Sequence, residues 1–345
     1  MKHPAPTMRE VALRAKVSTS TVSLALRNSP LVAEETRRRI RALAEQLRYK
    51  MHPFVAAHMR SRRNPQAGVA APVLALIDTQ RKRHGWRDNR TTMVRDMLVG
   101  AKAQAAARGY ETREFWLHEP GLSHARFSAM MHARGIPGVL LGPSSDLHLE
   151  LDLDWEKFSV VRLGSARVSP LLHRVVNDHY QSGALTAAKI AELGFRRPMF
   201  VVRDPLSECH DRRWEAGLQI ACEHIPGMRL VPSLLPQCEP DAPEILRWFK
   251  RHRPDVIIDG AERNVIVQLR SVGVRVPEDV PVLSLCAPEM GGPISGCVQD
   301  GHAMGAATID LLIAMIERNE TGIPAMPVTL SNNSMWNPGE TLRCG

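Results

Sequence analysis

The side chains whose placement first implies chemistry are the charged ones. Residues 1–66 carry 14 Lys and Arg against four Asp and Glu, whereas residues 67–345 carry 31 against 32. The formal net charge of +9 is therefore concentrated at the N-terminal end. A basic head on a near-neutral body is the composition of a polyanion-binding module, and counterion release makes such binding weaken with salt. A solvated basic tail or a membrane-surface patch would carry the same charge without any fold signals, and this segment is dense with them. Patterns for covalent or metal chemistry do not form. The 14 histidines include no H-E-x-x-H, so no metal site is expected. Gly291-Gly292-x-x-x-Gly296 lacks the Lys-Ser/Thr of a phosphate-binding loop, and no G-x-S-x-G nucleophile elbow occurs. Neither an enzyme nor a cofactor is expected.

Cys209, Cys222, Cys238, Cys286, Cys297 and Cys344 lie far apart without a C-x-x-C, which fits reduced thiols in a cytoplasmic protein. No apolar run approaches the roughly 18 residues of a membrane span, and MKHPAPTMRE has no apolar region of a secretory signal. No membrane partner is expected. At 345 residues, with 44% hydrophobic and 23% charged side chains, the chain suits two or three domains with a sizeable core.

The elements that must position the basic head are short helices. Thr7-Met8-Arg9-Glu10 is a capping box, followed by Val11, Ala12 and Ala15 on one apolar face. Ser18 is a second N-cap candidate, opening Thr19–Leu26 with Val22 and Leu26 inward. Only Lys16 and Val17 stand between the two helices, a helix-turn-helix layout. Glu34–Leu47 forms a third helix with Ile40, Leu43, Ala44 and Leu47 on one side and arginines on the other.

Thr7-x-x-Glu10-Val11-Ala12, Val17-Ser18-x-x-Thr21-Val22-Ser23, Asn28, Val32, Thr36 and Tyr49 follow one another without gaps. This ordered set resembles the DNA-binding domain of the lactose-repressor (LacI/GalR) family. The resemblance implies that the second helix enters the major groove, with Thr19, Ser20 and Leu24 facing bases. It also implies that Thr7, Thr21, Ser23, Asn28, Thr36 and Tyr49 contact phosphates. Leu24 stands where most of that family place Arg, so guanine readout there gives way to apolar contact, for instance with a thymine methyl. Lys16 replaces a turn Gly and Ala33 replaces a Ser cap, each a loss of about 1 kcal/mol.

Residues 51–66, MHPFVAAHMRSRRNPQ, read as a hinge: Pro53 can open a short helix through Met59, and a basic linker follows. In the resembled family such a helix forms on operator DNA and wedges an apolar side chain into the minor groove. Val55, His58 and Met59 are the corresponding residues here, with His58 at the wedge position and Met59 beside it. A plain flexible tether is the alternative.

From Pro72 onward apolar strand-like runs alternate with amphipathic helices, which argues for two doubly wound parallel sheets. Leu193-Gly194-Phe195-Arg196-Arg197-Pro198, Val276-Pro277-Glu278-Asp279-Val280, and Gln299-Asp300 before Met304-Gly305-Ala306-Ala307 resemble the same family's two-lobed, periplasmic-binding-protein-like domain. The fold class expected is α/β: a helix-turn-helix domain over 1–50, the hinge over 51–66, and an effector and dimerisation domain over 67–345. Its first lobe is expected over about 67–174 plus 300–324, and its second over 175–299 plus 325–345. Ligands in such folds bind at the carboxyl ends of strands, in the cleft between lobes. There Trp214 stands where many members place Arg, Cys286-Ala287 where most have Asp-Asp, and Asp259-Gly260 where Asn-Asp is usual. Trp214 is expected to stack on an effector, with Arg213 or Asp259 giving polar contacts and Asp78, Trp86 and Gln299 as further candidates. Alternatively Trp214 is core, Asp259 caps the helix beginning near Arg263, and the cleft binds nothing.

The whole reading is a cytoplasmic transcriptional regulator, a repressor acting as a homodimer on a pseudo-palindromic double-stranded operator. A small molecule, such as a sugar or sugar derivative, would control it allosterically. A solute-binding or sensor protein without operator binding, and an effector-independent regulator, are the alternatives.

Overall fold

The computed structural model describes residues 6–26, 29, 31–47, 49, 71–144, 146 and 148–342. Asn28 and the hinge residues Val55, His58 and Met59 lie outside the described residues.

The N-terminal head consists of α1 (Met8–Ala15), α2 (Thr19–Leu26) and α3 (Glu34–Gln46). Thr7 caps α1, its hydroxyl accepting from the Glu10 amide at 3.2 Å, while the Glu10 carboxylate pairs with Arg14 at 3.2 Å. α1 ends at Lys16, which adopts the left-handed conformation with φ 53° and ψ 44° that Gly would take without strain. Ser18 opens α2 by accepting the Thr21 amide at 3.1 Å. Ala33 precedes α3 without a side-chain cap, and Glu34 and Glu35 in the first turn complement the helix dipole instead. Met8, Val11, Val22, Ala25 and Ile40 fill the small core. Val22 and Ala25 are the buried residues of α2, and Leu26 lies only partly buried at its edge.

The body holds two sheets. The first has six strands in the order β12-β7-β5-β3-β1-β2, all pairings parallel. They are β1 (Val73–Asp78), β2 (Glu111–Trp116), β3 (Gly138–Leu141), β5 (Ser159–Leu163), β7 (His173–Asn177) and β12 (Thr329–Asn332). The second sheet has the order β13-β11-β10-β9-β8. Its strands are β8 (Pro198–Val201), β9 (Val256–Asp259), β10 (Val282–Ala287), β11 (Gly296–Val298) and β13 (Met335–Asn337). Only β13 runs antiparallel, against β11. The short β4 (His148–Glu150) and β6 (Arg167–Ser169) form a separate ribbon. Central strands such as β3 and β9 are buried at every position, which is why their sequences, GVLL and VIID, do not alternate.

Helices cover both faces. Thr92–Ala107 and Gly301–Arg318 pack on one side of the first sheet and His124–Ala133 on the other. In the second lobe, His179–Glu192 and Arg213–His224 approach closely. A Cβ at Gly217 would meet the Tyr180 carbonyl oxygen at 2.1 Å, so glycine is required by contact there.

The chain passes between the sheets three times: after Asn177, near Gln299–Gly301, and between Asn332 and Met335. Two of these crossings end in a helix capped by an aspartate. Asp178 accepts from the Gln181 amide at 3.1 Å, and Asp300 from the Ala303 amide at 2.8 Å. This corrects the expected lobe boundaries. β7 reaches Asn177, and β12 pairs with β7 at the edge of the first sheet although 325–345 was expected in the second lobe. After β8 the chain forms two consecutive helices, Asp204–Cys209 and Arg213–His224. Asp211 and Arg212, both at φ 52°, break the path between them.

Candidate functional site: the helical head and the interlobe cleft

In the head, Ser18 gathers the hydroxyls at the start of α2. Its Oγ lies 2.7 Å from Ser20 Oγ and 2.8 Å from Thr21 Oγ1. Ser20 is exposed, Thr19 and Thr21 half-buried. Each hydroxyl has one donor and two acceptor positions, so an internal bond leaves capacity for a base edge or a phosphate. Thr7, Ser23 and Thr36 are likewise half-buried. Arg37 and Arg39 turn inward to carbonyls, donating to Ser29 O and Ala15 O at 3.2 Å each, and so fasten α3 to the other helices. Two expected contacts sit differently. Leu24 packs against the head's core, so its apolar surface is shared between core and solvent. Tyr49 is 6% exposed, and its hydroxyl is enclosed without a partner. Burial pushes its pKa up to about 12. The phosphate contact expected of Tyr49 is not available in this arrangement.

In the body, a cleft of about 250 Å³ opens between the lobes at the carboxyl ends of the strands. Met93, Val94, Met97 and Met304 supply one wall from the first lobe; Leu206, Cys209, Trp214 and Cys286 supply the other. At its end three rings pack together. His179 lies 4.0 Å from His210 and 4.7 Å from Trp214 between ring centroids, and His210 lies 4.5 Å from Trp214. His179 Nε2 is 3.1 Å from Ser165 Oγ. Burial holds His179 well below the usual histidine range and pushes His210 down to about 4, so both rings are neutral near pH 7. The charged residues of the wall are engaged. Arg203 pairs with Glu239 at 2.5 Å. Glu262 reaches across from the second lobe, accepting from Thr92 N at 2.9 Å and from Thr92 Oγ1 at 3.2 Å. The surface therefore offers apolar contact and neutral hydrogen bonds.

Of the six expected effector residues, Trp214 and Gln299 line this cleft. Trp214 is 1% exposed, a wall between His179, His210 and Phe200 more than a free stacking plate. Gln299 donates to Leu285 O at 3.0 Å and to Cys286 Sγ at 3.1 Å. Arg213 faces Asp178 at 3.7 Å and lines an adjoining cavity. The other three serve the fold. Asp78 accepts from the amides of Gln80 and Trp86 at 3.0 and 3.1 Å and so shapes the loop after β1. Trp86 is 2% exposed and donates Nε1 to Val94 O at 2.9 Å. Asp259 accepts from Ala261 N at 2.9 Å and Val265 N at 2.8 Å, capping the helix Asn264–Ser271. Burial pushes its pKa up to about 7. His179, His210 and Glu262 were not singled out from the sequence. Their roles come from approaches across long separations, which no local spacing encodes.

The chain matches two sequence profiles: "Bacterial regulatory proteins, lacI family" over residues 7–51, and "Periplasmic binding protein-like domain" over residues 187–333. It is 26% identical over 340 residues to the HTH-type transcriptional regulator GntR of Pseudomonas aeruginosa, covering 91% of this chain and 90% of that one. Among solved structures it resembles a transcriptional regulator CelR–cellobiose complex at TM-score 0.56 and 19% identity, with 97% and 99% of the two chains covered. It also resembles the lac repressor dimer bound to operator and the anti-inducer ONPF, at TM-score 0.53 and 15% identity, with 98% and 99% covered. At these identities the structural likenesses speak for the fold.

Proposed function

We propose that the chain, which matches the lacI-family profile over residues 7–51 and a periplasmic-binding-protein-like profile over residues 187–333, is a lacI-type sequence-specific DNA-binding transcriptional repressor whose affinity is set by a small molecule in the interlobe cleft. The observation that carries this reading is the pairing of two parts in one chain. One is a basic helix-turn-helix whose second helix begins in a cluster of hydroxyls; the other is a body with a neutral, partly apolar cleft between two lobes. Thr19 and Ser20 read base edges, and Leu24 adds apolar contact at the groove floor. Thr7, Thr21, Ser23, Asn28 and Thr36 hold phosphates. The hinge residues Val55, His58 and Met59 enter the minor groove.

A three-helix head buries too little surface to specify a site alone, so the protein acts as a homodimer on an inverted repeat. It works in the cytoplasm as a regulator and not as an enzyme. No helix among the described residues is long and apolar enough to cross a membrane. The effector changes the lobe arrangement by binding one arrangement better, and thereby changes the spacing of the two heads.

Footprinting over the region upstream of the chain's own coding sequence tests this. Protection of an inverted repeat of roughly 15–20 bp, lost steeply with salt, is the expected result. Binding without sequence preference defeats the reading.

A further inference from the structure

One wall of the interlobe cleft is built by two helices in backbone contact. A Cβ at Gly301 would meet the Met93 carbonyl oxygen at 2.1 Å, and one at Gly305 the Met97 carbonyl oxygen at 2.1 Å. The helices Thr92–Ala107 and Gly301–Arg318 therefore touch at these glycines, and they bring Met93, Met97 and Met304 to the cleft beside Val94. Met97 and Met304 are anchored in the first lobe's core, while Met93 and Val94 are half-buried. Three thioethers on a fixed backbone make a wall that is apolar and polarizable. From the second lobe come Leu206, Trp214 and Cys286. Burial pushes the Cys286 thiol up, so it stays protonated and acts as an apolar contact.

The polar side chains of the cleft are directed mostly into the protein. Asn177 donates Nδ2 to Ser182 Oγ at 3.0 Å and accepts from Ser334 Oγ at 3.1 Å. Ser144 accepts from the Asp146 amide at 3.0 Å, and Ser165 is bonded to His179. Gln299 gives its amide nitrogen to Leu285 O and Cys286 Sγ, and its Oε1 is enclosed. Arg203 and Glu239 neutralise each other, and Glu262 is held at the start of the helix Thr92–Ala107. The hydroxyl of Thr91 makes no capping bond. The capacity left is that of a few hydroxyls, enough for one polar group and too little for a polyol. A sugar carries a hydroxyl on nearly every carbon, and most of them would give up water here without gaining a partner. A carboxylate or phosphate would meet two carboxylates against one guanidinium that is already paired.

We propose that the cleft takes an uncharged aromatic molecule of about one substituted ring, held between the methionines of the first lobe and the rings of Trp214 and His210 in the second. The inference rests on the cleft being the effector site, and it narrows the class of effector. An apolar cavity of about 150 Å³ takes up one benzene, so the cleft of about 250 Å³ holds a ring with several further heavy atoms. Thioether sulfur favours contact with aromatic rings, and indole and imidazole offer edge-to-face partners, which selects an aromatic ring over a saturated one. Because the two walls belong to different lobes, the ring binds best where both reach it, and so favours one lobe arrangement.

Thermal unfolding of the full chain tests this with benzyl alcohol, against benzoate, benzylamine, cyclohexylmethanol and D-glucose at equal concentration and ionic strength. Benzyl alcohol should raise the midpoint by roughly 2–4 °C at about ten times its dissociation constant. Cyclohexylmethanol should raise it less, and the charged rings and the sugar not at all. Met93→Glu places a carboxylate in the half-buried wall and should remove the increment, whereas Met93→Leu should retain most of it. If Met93→Glu does not fold, Met93→Gln carries the same comparison. No increment with benzyl alcohol, equal increments in wild type and the polar variant, or an equal or larger increment with any other probe overturns the proposal. A glucose increment that Met93→Glu removes would keep the cleft as the effector site and overturn the aromatic class alone. Operator retardation by the unmodified chain is measured alongside. Its failure would remove the repressor reading and leave the ligand class standing.

Discussion

Glu262→Ala should loosen the two lobes. The helix Thr92–Ala107 has no acid in its first turn, and Thr91 at its N-cap makes no side-chain capping bond. The carboxylate of Glu262, from the other lobe, replaces both by accepting from Thr92 N at 2.9 Å and Thr92 Oγ1 at 3.2 Å. A hydrogen bond to a charged acceptor contributes about 1.5–3 kcal/mol, part of it through the helix dipole. Glu262 and Thr92 are both half-buried, and solvent screening reduces the net to about 1–2 kcal/mol. That is a shift of about 5–30-fold in the closed-to-open equilibrium. Amide hydrogen exchange at Thr92 should accelerate by a similar factor in the alanine variant, and small-angle scattering should report a larger radius of gyration. Glu262→Gln keeps one acceptor oxygen and should show a smaller change. Unchanged exchange at Thr92 in Glu262→Ala would refute the assignment of this carboxylate as an interlobe cap.

Ser18→Ala removes the cap of α2 and the centre of its hydroxyl cluster. The head should lose about 1 kcal/mol of stability, seen by calorimetry, and operator affinity should fall with it. Asp259 ionises from about 7 when folded against 3.8 in the reference state, so the folded chain binds the extra proton between those values. Its contribution to stability should therefore fall, by up to about 4 kcal/mol, as pH rises from about 4 to about 7, and Asp259→Asn should abolish that slope in urea titrations. His210 has the opposite sign: its folded value of about 4 lies below the reference 6.5, so the unfolded chain binds the proton in between. Stability should drop by up to about 3 kcal/mol as pH falls through that window, and His210→Gln should flatten the drop. Equal pH slopes in wild type and variant would dismiss either account.

The head was legible because its information is local. Thr7, Ser18 and the left-handed Lys16 act on amides and carbonyls within a few residues, and Val11, Val22 and Ile40 meet across short turns. The apolar runs of β3 and β9 likewise announced buried parallel strands, since burial on both faces removes any need for alternation.

The edges and the cleft were not legible in that way. β12 is four residues with an exposed face, and nothing in TLSN says which sheet has a free edge to receive it. Trp214, Asp78 and Asp259 offered types suited to a ligand, but a side chain's type does not reveal whether a backbone amide has already claimed it. The pairing of His179 with His210 and of Thr92 with Glu262 arises from approaches across as many as 170 residues. Local propensity thus determined the elements and the head. The contents and charge of the cleft were decided when two sheets, threaded three times by one chain, brought distant side chains to the same strand ends.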